Sequence, residues 1–502
     1  MIRPFTSSPL RYLSFLLCGA LGVLSFAPFE WRTLLPLGLA YLFFHLVQMK
    51  PRAGFFAGYA FGLGLMGAGV SWLQISLELF AGVGFLASIL FTLGFVAFMA
   101  LYFGLAGGLI ARMAGGRRAF DLLLVAPAVW VLVEWLRGWL LTGFPWLELG
   151  YAGLDTPLGG YAPLAGVYGL GWLAALLAGA LALTVSASLA LRAALAAMAA
   201  LIFLGGWALQ SLSWSEPAGE AIRVSLVQAN IAQEFKWNPE QFGLSMKKHL
   251  ELTSAHWDSD LIIWPETAVS AFEHTVRPFL LDPLESDARE HGSEVLLGVP
   301  IMDFKSDRYY NAMLSLGKEV GTYYKRHLVP IGEYAPFRSV LKPLVDSLGI
   351  PMSDFISGSA AKPLLKVAGH LAGISICYED AFGAELIQAL PEAAFLINAS
   401  NDGWFGDSIA PHQHLEIARM RALETGRTLL KSTNTGISAV IGPDGRVLER
   451  SPLLKEYVLT RRVIPLKGIT PYARYGNWPV IGILGLVLLS WAGRPSSPLL
   501  SV

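Results

Sequence analysis

The chain has 502 residues, 54% of them hydrophobic and 15% charged, and its mean hydropathy is positive. That composition excludes a purely soluble protein, and the formal net charge of zero argues against a nucleic-acid partner reached through bulk charge. Roughly three quarters of the charged residues fall within 216–477, so a membrane part is expected beside a water-exposed domain large enough to bury its own core.

Apolar stretches of about 20 residues read as transmembrane helices. They are placed near 12–28, 33–49, 54–78, 84–111, 120–140, 161–188, 193–212 and 477–492. The last is short, but Trp478 and Trp491 bracket it as interfacial anchors. Ser25-Phe26-Ala27 in the first has the form of a signal-peptidase site. Pro28 would directly follow that cut and further spans come after it, so the segment is read as retained. Cys18 does not fit a lipid-attachment motif, because Phe15 and Leu17 stand where an aliphatic and a small residue belong.

Basic residues of the short loops set the orientation. With the N-terminus in the cytoplasm, Arg3, Arg11, Lys50, Arg52, Arg112, Arg117, Arg118, Arg192 and Arg494 lie inside, and only Arg32 and Arg137 fall outside. The expected domains are therefore seven spans over 1–215, an extracytoplasmic domain over 216–476, and a returning span with a short cytoplasmic tail over 477–502. The tail from Arg494 to Val502 reads as disordered. Glu134 and Arg137 share a helix face near the outer end of the fifth span, either as a structural ion pair or as part of a lipid-entry site. The Gly143-Phe144-Pro145-Trp146 loop after them is apolar enough for the interface.

From residue 216 the pattern changes. Strands are expected at 222–229, 260–264, 294–299, 310–316, 321–324, 372–378, 394–398 and 436–441. Amphipathic helices are expected at 240–256, 276–291, 381–390 and 411–426. Continuous apolar strands interleaved with helices imply buried sheets covered by helices, an α/β layered domain. Gly442-Pro443-Asp444-Gly445 reads as a hairpin turn.

Three residues stand at the ends of such strands: Glu266 in Leu261-Ile262-Ile263-Trp264-Pro265-Glu266, Lys325 in Thr322-Tyr323-Tyr324-Lys325, and Cys377 in Ile374-Ser375-Ile376-Cys377-Tyr378-Glu379. Acyl transfer through a thiol needs a proton acceptor for the thiol and a stabiliser for the tetrahedral oxyanion. A cation beside the cysteine also favours its thiolate. A carboxylate, an ammonium and a thiol supply these parts. Taken singly, each has a plainer reading: a cysteine in an apolar strand is a small hydrophobe, and a strand-end Glu or Lys is a solvated charge or half a salt bridge.

Asp260–Glu266 (DLIIWPE), Lys325-Arg326-His327-Leu328-Val329-Pro330-Ile331-Gly332-Glu333-Tyr334 and Ile376-Cys377-Tyr378-Glu379 resemble, in order and separation, the three catalytic motifs of the nitrilase superfamily. With the spans around them, and with Glu134-Trp135-Leu136-Arg137 and the Gly-Phe-Pro-Trp loop, essentially the whole chain resembles the apolipoprotein N-acyltransferase family. The resemblance implies an α-helical transmembrane bundle of about eight spans carrying a nitrilase-like αββα sandwich. It implies Glu266 as general base, Lys325 as stabiliser of oxyanion and thiolate, and Cys377 as nucleophile of a ping-pong reaction through a thioester. The acyl donor would be a membrane phospholipid and the acceptor the α-amine of a diacylated apolipoprotein. It implies a multi-pass protein of the bacterial inner membrane with the catalytic domain on the periplasmic side, working as a monomer in the lipid bilayer without cofactor, metal or nucleic acid.

By the same resemblance Glu333 is an additional site carboxylate that orients Lys325 or assists proton transfer, a structural ion pair being the alternative. Tyr378 and Glu379 shape the site, although on a continuing strand only one of them shares the face of Cys377. Trp237, on a loop after the first strand, is a lid, a substrate contact or an interfacial anchor. Trp404 and Phe405, in the Gly-punctuated stretch Asn401-Asp402-Gly403-Trp404-Phe405-Gly406, suit acyl-chain contact or core packing. His412 and His414 have no third ligand candidate nearby in sequence, which speaks against a metal site. Two other functions remain open at this stage. A membrane-tethered amidase would use the same three residues and finish with water. A transporter or lipid-binding scaffold would carry an inactive domain.

Overall fold

The computed structural model describes residues 9–79, 84–330, 332–334, 354–359 and 362–492. The expected tail, and Arg3 and Arg494 of the charge count, lie outside the described residues. The chain divides into two compact units, one of Met1–Ser71, Ile89–Leu212 and Tyr475–Val502, the other of Trp72–Ser88 and Ser213–Arg474.

The first unit is helical. Among the described residues, four helices are long and apolar enough to cross a membrane: Phe85–Met113, Arg118–Arg137, Pro157–Thr184 and Leu189–Leu209. Pro9–Ser25, Leu34–Leu46 and Trp478–Trp491 are shorter apolar helices. Pro51–Gly69 begins with proline at its first turn, where no amide partner is missed. Helices approach closely where side chains vanish. A Cβ on Gly19 would stand 2.0 Å from the Phe61 carbonyl oxygen, and one on Gly64 would stand 1.9 Å from that of Leu16. The helices Pro9–Gly22 and Pro51–Gly69 therefore pack backbone to backbone, as small residues permit within a bilayer.

Glu134 and Arg137 are buried, and both bind the loop that follows their helix. Arg137 Nη1 donates to the carbonyls of Phe144 and Trp146 at 2.6 and 2.7 Å, and Glu134 Oε1 accepts from Leu149 N–H at 3.0 Å.

The expected span 54–78 is interrupted. Its helix ends at Gly69, and a separate short helix, Leu73–Leu79, packs with the second unit. The Trp72 indole N–H donates to Gln413 Oε1 at 3.1 Å and its ring meets Phe405 edge-on. Ser76 Oγ donates to the Trp404 carbonyl at 2.6 Å.

The second unit contains strands β1 (Ser215–Pro217), β2 (Ile222–Gln228), β3 (Leu261–Ile263), β4 (Glu294–Asp303), β5 (Arg308–Leu316), β6 (Gly321–Tyr324) and β7 (Leu364–Val367). Then come β8 (His370–Ile376), β9 (Phe395–Ser400), β10 (Leu429–Thr433), β11 (Ala439–Ile441), β12 (Val447–Arg450), β13 (Tyr457–Val463) and β14 (Leu466–Gly468). They form two six-stranded sheets, ordered β13-β2-β3-β4-β5-β6 and β12-β11-β10-β9-β8-β7, and a β1-β14 ribbon. The central strands β2-β3-β4 and β8-β9-β10 run parallel; the outer pairings are antiparallel.

Val224, Leu226, Ile263 and Leu296 of one sheet pack against Ile374, Ile376, Ile397 and Leu430 of the other, all fully buried. The outer face of the first sheet is covered by Met246 of the helix Pro239–Ser254 and by Leu284 and Ala288 of Asp282–His291. The outer face of the second sheet is covered by Leu415, Ala418 and Ala422 of Ala410–Thr425. The layers run helix, sheet, sheet, helix, the αββα order that the nitrilase resemblance implies.

Two expectations change locally. The expected helix 381–390 is three short turns, Cys377–Ala381, Gly383–Leu386 and Ile387–Ala389, because Phe382 leaves helical geometry at φ −97° and ψ 80°. The expected strand 436–441 is shorter, and β7, β10, β12, β13 and the ribbon were not anticipated.

Candidate active site

β3, β6 and β8 each deliver one of the three strand-end residues. Cys377 follows β8 directly, and at that point the backbone turns to φ +52°, a left-handed conformation rare for a residue with a side chain. The strand therefore ends before Cys377, and the alternation that would have sent Tyr378 and Glu379 to opposite faces no longer applies.

The Cys377 carbonyl is held by Asn398 Nδ2 at 3.1 Å and by His414 Nε2 at 3.3 Å. The imidazole of His414 is clamped between Asp402 (Nδ1 to Oδ1, 2.8 Å) and Asp380 (Nε2 to Oδ1, 3.0 Å). Lys431 Nζ reaches Asn398 Oδ1 at 2.6 Å and Asp380 Oδ2 at 3.4 Å. Burial opposes the charge on His414, but the two carboxylates outweigh it and raise its pKa to about 9, so the ring is an imidazolium. Burial would raise Asp380 and Asp402, yet His414 and Lys431 hold both below the usual carboxylate range.

Lys325 is buried directly after β6. Its ammonium lies 2.9 Å from Glu333 Oε1 and 3.5 Å from Glu266 Oε1. Burial works against the charge, and the carboxylates of Glu333 and Glu266 more than offset it, so Lys325 stays charged well above its ordinary pKa. Asn311 Nδ2 bridges the two acids, donating to Glu266 Oε1 at 2.7 Å and Glu333 Oε1 at 3.1 Å. Glu266 Oε2 accepts the Asn401 N–H at 3.0 Å, and Glu333 Oε2 accepts the Val329 N–H at 2.8 Å.

The Cys377 thiol is only partly buried by its neighbours in the core, yet it is pushed well above its usual pKa. Burial is the largest cause, and Glu266 adds to it while Lys325 opposes. The resting group is a neutral thiol beside a carboxylate acceptor.

Glu379 ties two of these elements together. Its oxygens accept N–H groups of Arg326 (2.7 Å), His327 (3.0 Å) and Ile376 (2.7 Å), and the Tyr323 hydroxyl. It thus links the segment after Lys325 to the residue before Cys377. Burial raises its pKa against those donors. Tyr378 turns its ring edge toward Phe382. Trp237 and Trp404 are more than a third exposed, and Phe405 is half-buried against Trp72.

The Carbon-nitrogen hydrolase family matches residues 223–474, and the Apolipoprotein N-acyltransferase N-terminal domain matches residues 18–180. The apolipoprotein N-acyltransferase of Methylococcus capsulatus is 47% identical over 95% of this chain and 95% of its own length. This chain belongs to the apolipoprotein N-acyltransferase family. A second member of the family, from Photobacterium profundum, is 38% identical over 92% of this chain and 90% of that one. Among solved structures, Saccharomyces cerevisiae Nit3 of the nitrilase superfamily matches with a TM-score of 0.38 and 18% identity, covering 50% of this chain and 93% of that one.

Within this apolipoprotein N-acyltransferase family member, the structure brings Glu266, Lys325 and Glu333 into direct contact, with Cys377 in the field of all three. It sets Trp237, Trp404 and Phe405 on neighbouring loops. Sequence reading gave no role to Asn311, Lys431 and Lys236, named Asn401 only within its Gly-punctuated stretch, and weighed His414 only as a metal ligand. Asn401 sits just past the end of β9, a place signal available in the sequence, whereas Asn311 lies within β5. Lys431 lay in a strand too polar to be recognised.

Proposed function

We propose that this protein transfers an acyl chain from a membrane phospholipid to the N-terminal α-amine of a diacylglyceryl-cysteine lipoprotein, through a thioester on Cys377. The observation that carries this reading is the convergence of Glu266, Lys325 and Cys377 at three strand ends in a member of this family. Glu266 is the general base, Lys325 stabilises the oxyanion, and Cys377 is the nucleophile.

Because burial and Glu266 keep the thiol protonated at rest, attack requires its proton to move as the bond forms. Glu266 Oε1 is occupied by Asn311 and Lys325, while Oε2 receives one backbone N–H and keeps acceptor capacity for the thiol proton. Sulfur attacks the donor's ester carbonyl, and the developing oxyanion is met by the Lys325 ammonium. Collapse expels the lysophospholipid alkoxide, which takes the proton back from Glu266. In the second half, the neutral α-amine of the acceptor attacks the thioester carbonyl. Glu266 takes an amine proton and returns it to the departing sulfur, leaving the amide product and the thiol.

Glu333 supports this cycle by holding Lys325 charged. Tyr378 and Glu379 shape the turn, and Trp237, Trp404 and Phe405 offer apolar surface to acyl chains. The protein is read as an eight-span protein of the bacterial inner membrane, with seven spans over 1–215, the domain 216–476 on the periplasmic side, and a returning span with a short cytoplasmic tail over 477–502. Both substrates are then lipids of the outer leaflet.

Intact-protein mass spectrometry after mixing with phospholipid alone tests the reading. A gain of one acyl chain mapped to Cys377, discharged by a diacylated lipopeptide and lost in Cys377→Ala, is expected. Free fatty acid without an adduct would instead favour a hydrolase.

A further inference from the structure

The segment between β2 and the helix Pro239–Ser254 contains a short turn, Gln233–Lys236, with two opposed faces. Gln233 and Lys236, three apart, are 7% and 5% exposed, whereas Phe235 and Trp237 are 50% and 53% exposed. Both buried side chains end around Glu266. Lys236 Nζ donates to the Glu266 carbonyl at 3.0 Å. Gln233 Oε1 accepts from Asn401 Nδ2 at 2.7 Å, and the Asn401 main-chain N–H is the group that holds Glu266 Oε2. The start of the turn is fixed by Asn434, whose side chain accepts from Ile231 N–H at 3.0 Å and donates to Ile231 O at 2.7 Å.

A buried ammonium that donates to a neutral carbonyl bears a desolvation cost that only nearby negative charge offsets. The charges that favour it are that of Glu266 and the one Cys377 takes on when it ionises. We propose that Lys236 is a positioning residue of the acyl-transfer site: it fixes the backbone of Glu266, stabilises negative charge as it develops on Cys377 Sγ, and ties the exposed Phe235-Trp237 pair to the catalytic base. This rests on the thioester reading above.

Two cations then serve one thiol, and they differ. Lys325 is locked in the charged state by two carboxylates. Lys236 is pulled down to about 8 by burial, with Glu266 and Cys377 drawing it back up. The groups facing it are Glu266 beyond β3, Cys377 beyond β8, and His249 of Pro239–Ser254, which burial keeps neutral with a pKa near 4. As pH rises through about 8, Lys236 loses its charge and the thiol loses one of its two cations.

The test uses the full-length protein and a probe that needs no turnover. Alkylation of Cys377 by iodoacetamide is followed by peptide mass spectrometry across pH 6–10, beside thioester formation from phospholipid. In Lys236→Met, alkylation below pH 8, where the wild-type side chain is charged, is expected to slow, with thioester formation falling on the order of tenfold, one pKa unit's equivalent. Lys236→Arg, which keeps the charge, is expected to restore both. Wild-type alkylation profile and thioester rate in Lys236→Met would overturn the proposal. Should that variant fail to fold, the wild-type profile decides: a change of slope near pH 8 supports the proposal, and one simple ionisation overturns it. Absence of a thioester in the wild type, with alkylation still slowed in Lys236→Met, would overturn the acyl-transfer reading while leaving the placement of Lys236 intact.

Discussion

His414 lies behind the nucleophile without being part of the proposed triad, and its charge is the most testable feature of that region. Its folded pKa of about 9 exceeds the ordinary value of about 6.5 for an unfolded histidine. The stability it contributes is therefore full below about pH 6.5 and is lost as pH rises through about 9. Asp380 and Asp402 act in the opposite sense, contributing above their unfolded pKa values and losing that contribution as pH falls through their depressed folded ones. The difference in thermal midpoint between wild type and His414→Gln should be largest near pH 6 and should shrink toward pH 10. A gap that does not change with pH would show that folding leaves the pKa of the ring unshifted. At this scale the sequence pointed to Glu266, Lys325, Cys377 and Glu333 because each sits in a motif at a strand end. It was silent on Asn311, gave Lys236 no role and weighed His414 only as a metal ligand, because their significance comes from partners 45 and 30 positions away and, for His414, 12, 34 or 37 away.

Close backbone packing fixes where these elements place their ends. Gly298 lies within β4, beside the turn that carries Glu266, and a Cβ there would stand 2.4 Å from Thr267 N and 2.6 Å from Pro265 O. Both are main-chain atoms, so relief requires moving the turn itself. Gly298→Ala is expected to cost about 1–3 kcal/mol of stability, as overpacking does, and to slow thioester formation by displacing the Glu266 carboxylate. Chemical denaturation and the acyl-adduct assay measure the two effects. An unchanged midpoint with an unchanged adduct rate would mean that the turn is slack. Elements with continuous apolar runs, such as β2, β4 and β9, were legible from composition. β10 was not, because Lys431, Ser432 and Thr433 look solvent-facing until their buried partners are known. β13 was hidden for another reason: it is an edge strand whose Arg461 and Arg462 break the apolar pattern. The short helix Leu73–Leu79 was absorbed into a span because its hydrophobicity is continuous with Pro51–Gly69, although its contacts are with Trp404 and Gln413.

For the molecule as a whole, length and hydropathy identify four membrane-length helices outright. The eight-span proposal also needs Pro9–Ser25, Leu34–Leu46 and Trp478–Trp491, which are shorter than a bilayer core demands of an upright helix. It needs Pro51–Gly69 as well, whose glycines face other helices. What unites them is charge, since the basic residues of the short loops agree on one side. That argument makes a sharp distinction between two exposed serines. Ser306 lies in the turn between β4 and β5, and Ser186 lies between the helices Ala162–Thr184 and Leu189–Leu209. In a Cys18→Ser, Cys377→Ser background, a membrane-impermeant maleimide added to intact bacterial spheroplasts should label Ser306→Cys. It should spare Ser186→Cys until the membrane is opened. Labelling of Ser186→Cys from outside would reverse the orientation and place the proposed site on the cytoplasmic face, away from the outer-leaflet lipids. The thioester chemistry would survive that result, because it depends on Glu266, Lys325, Cys377 and the groups that hold them, whichever side of the membrane they face. The assignment of donor and acceptor would not, because it depends on which leaflet the site meets.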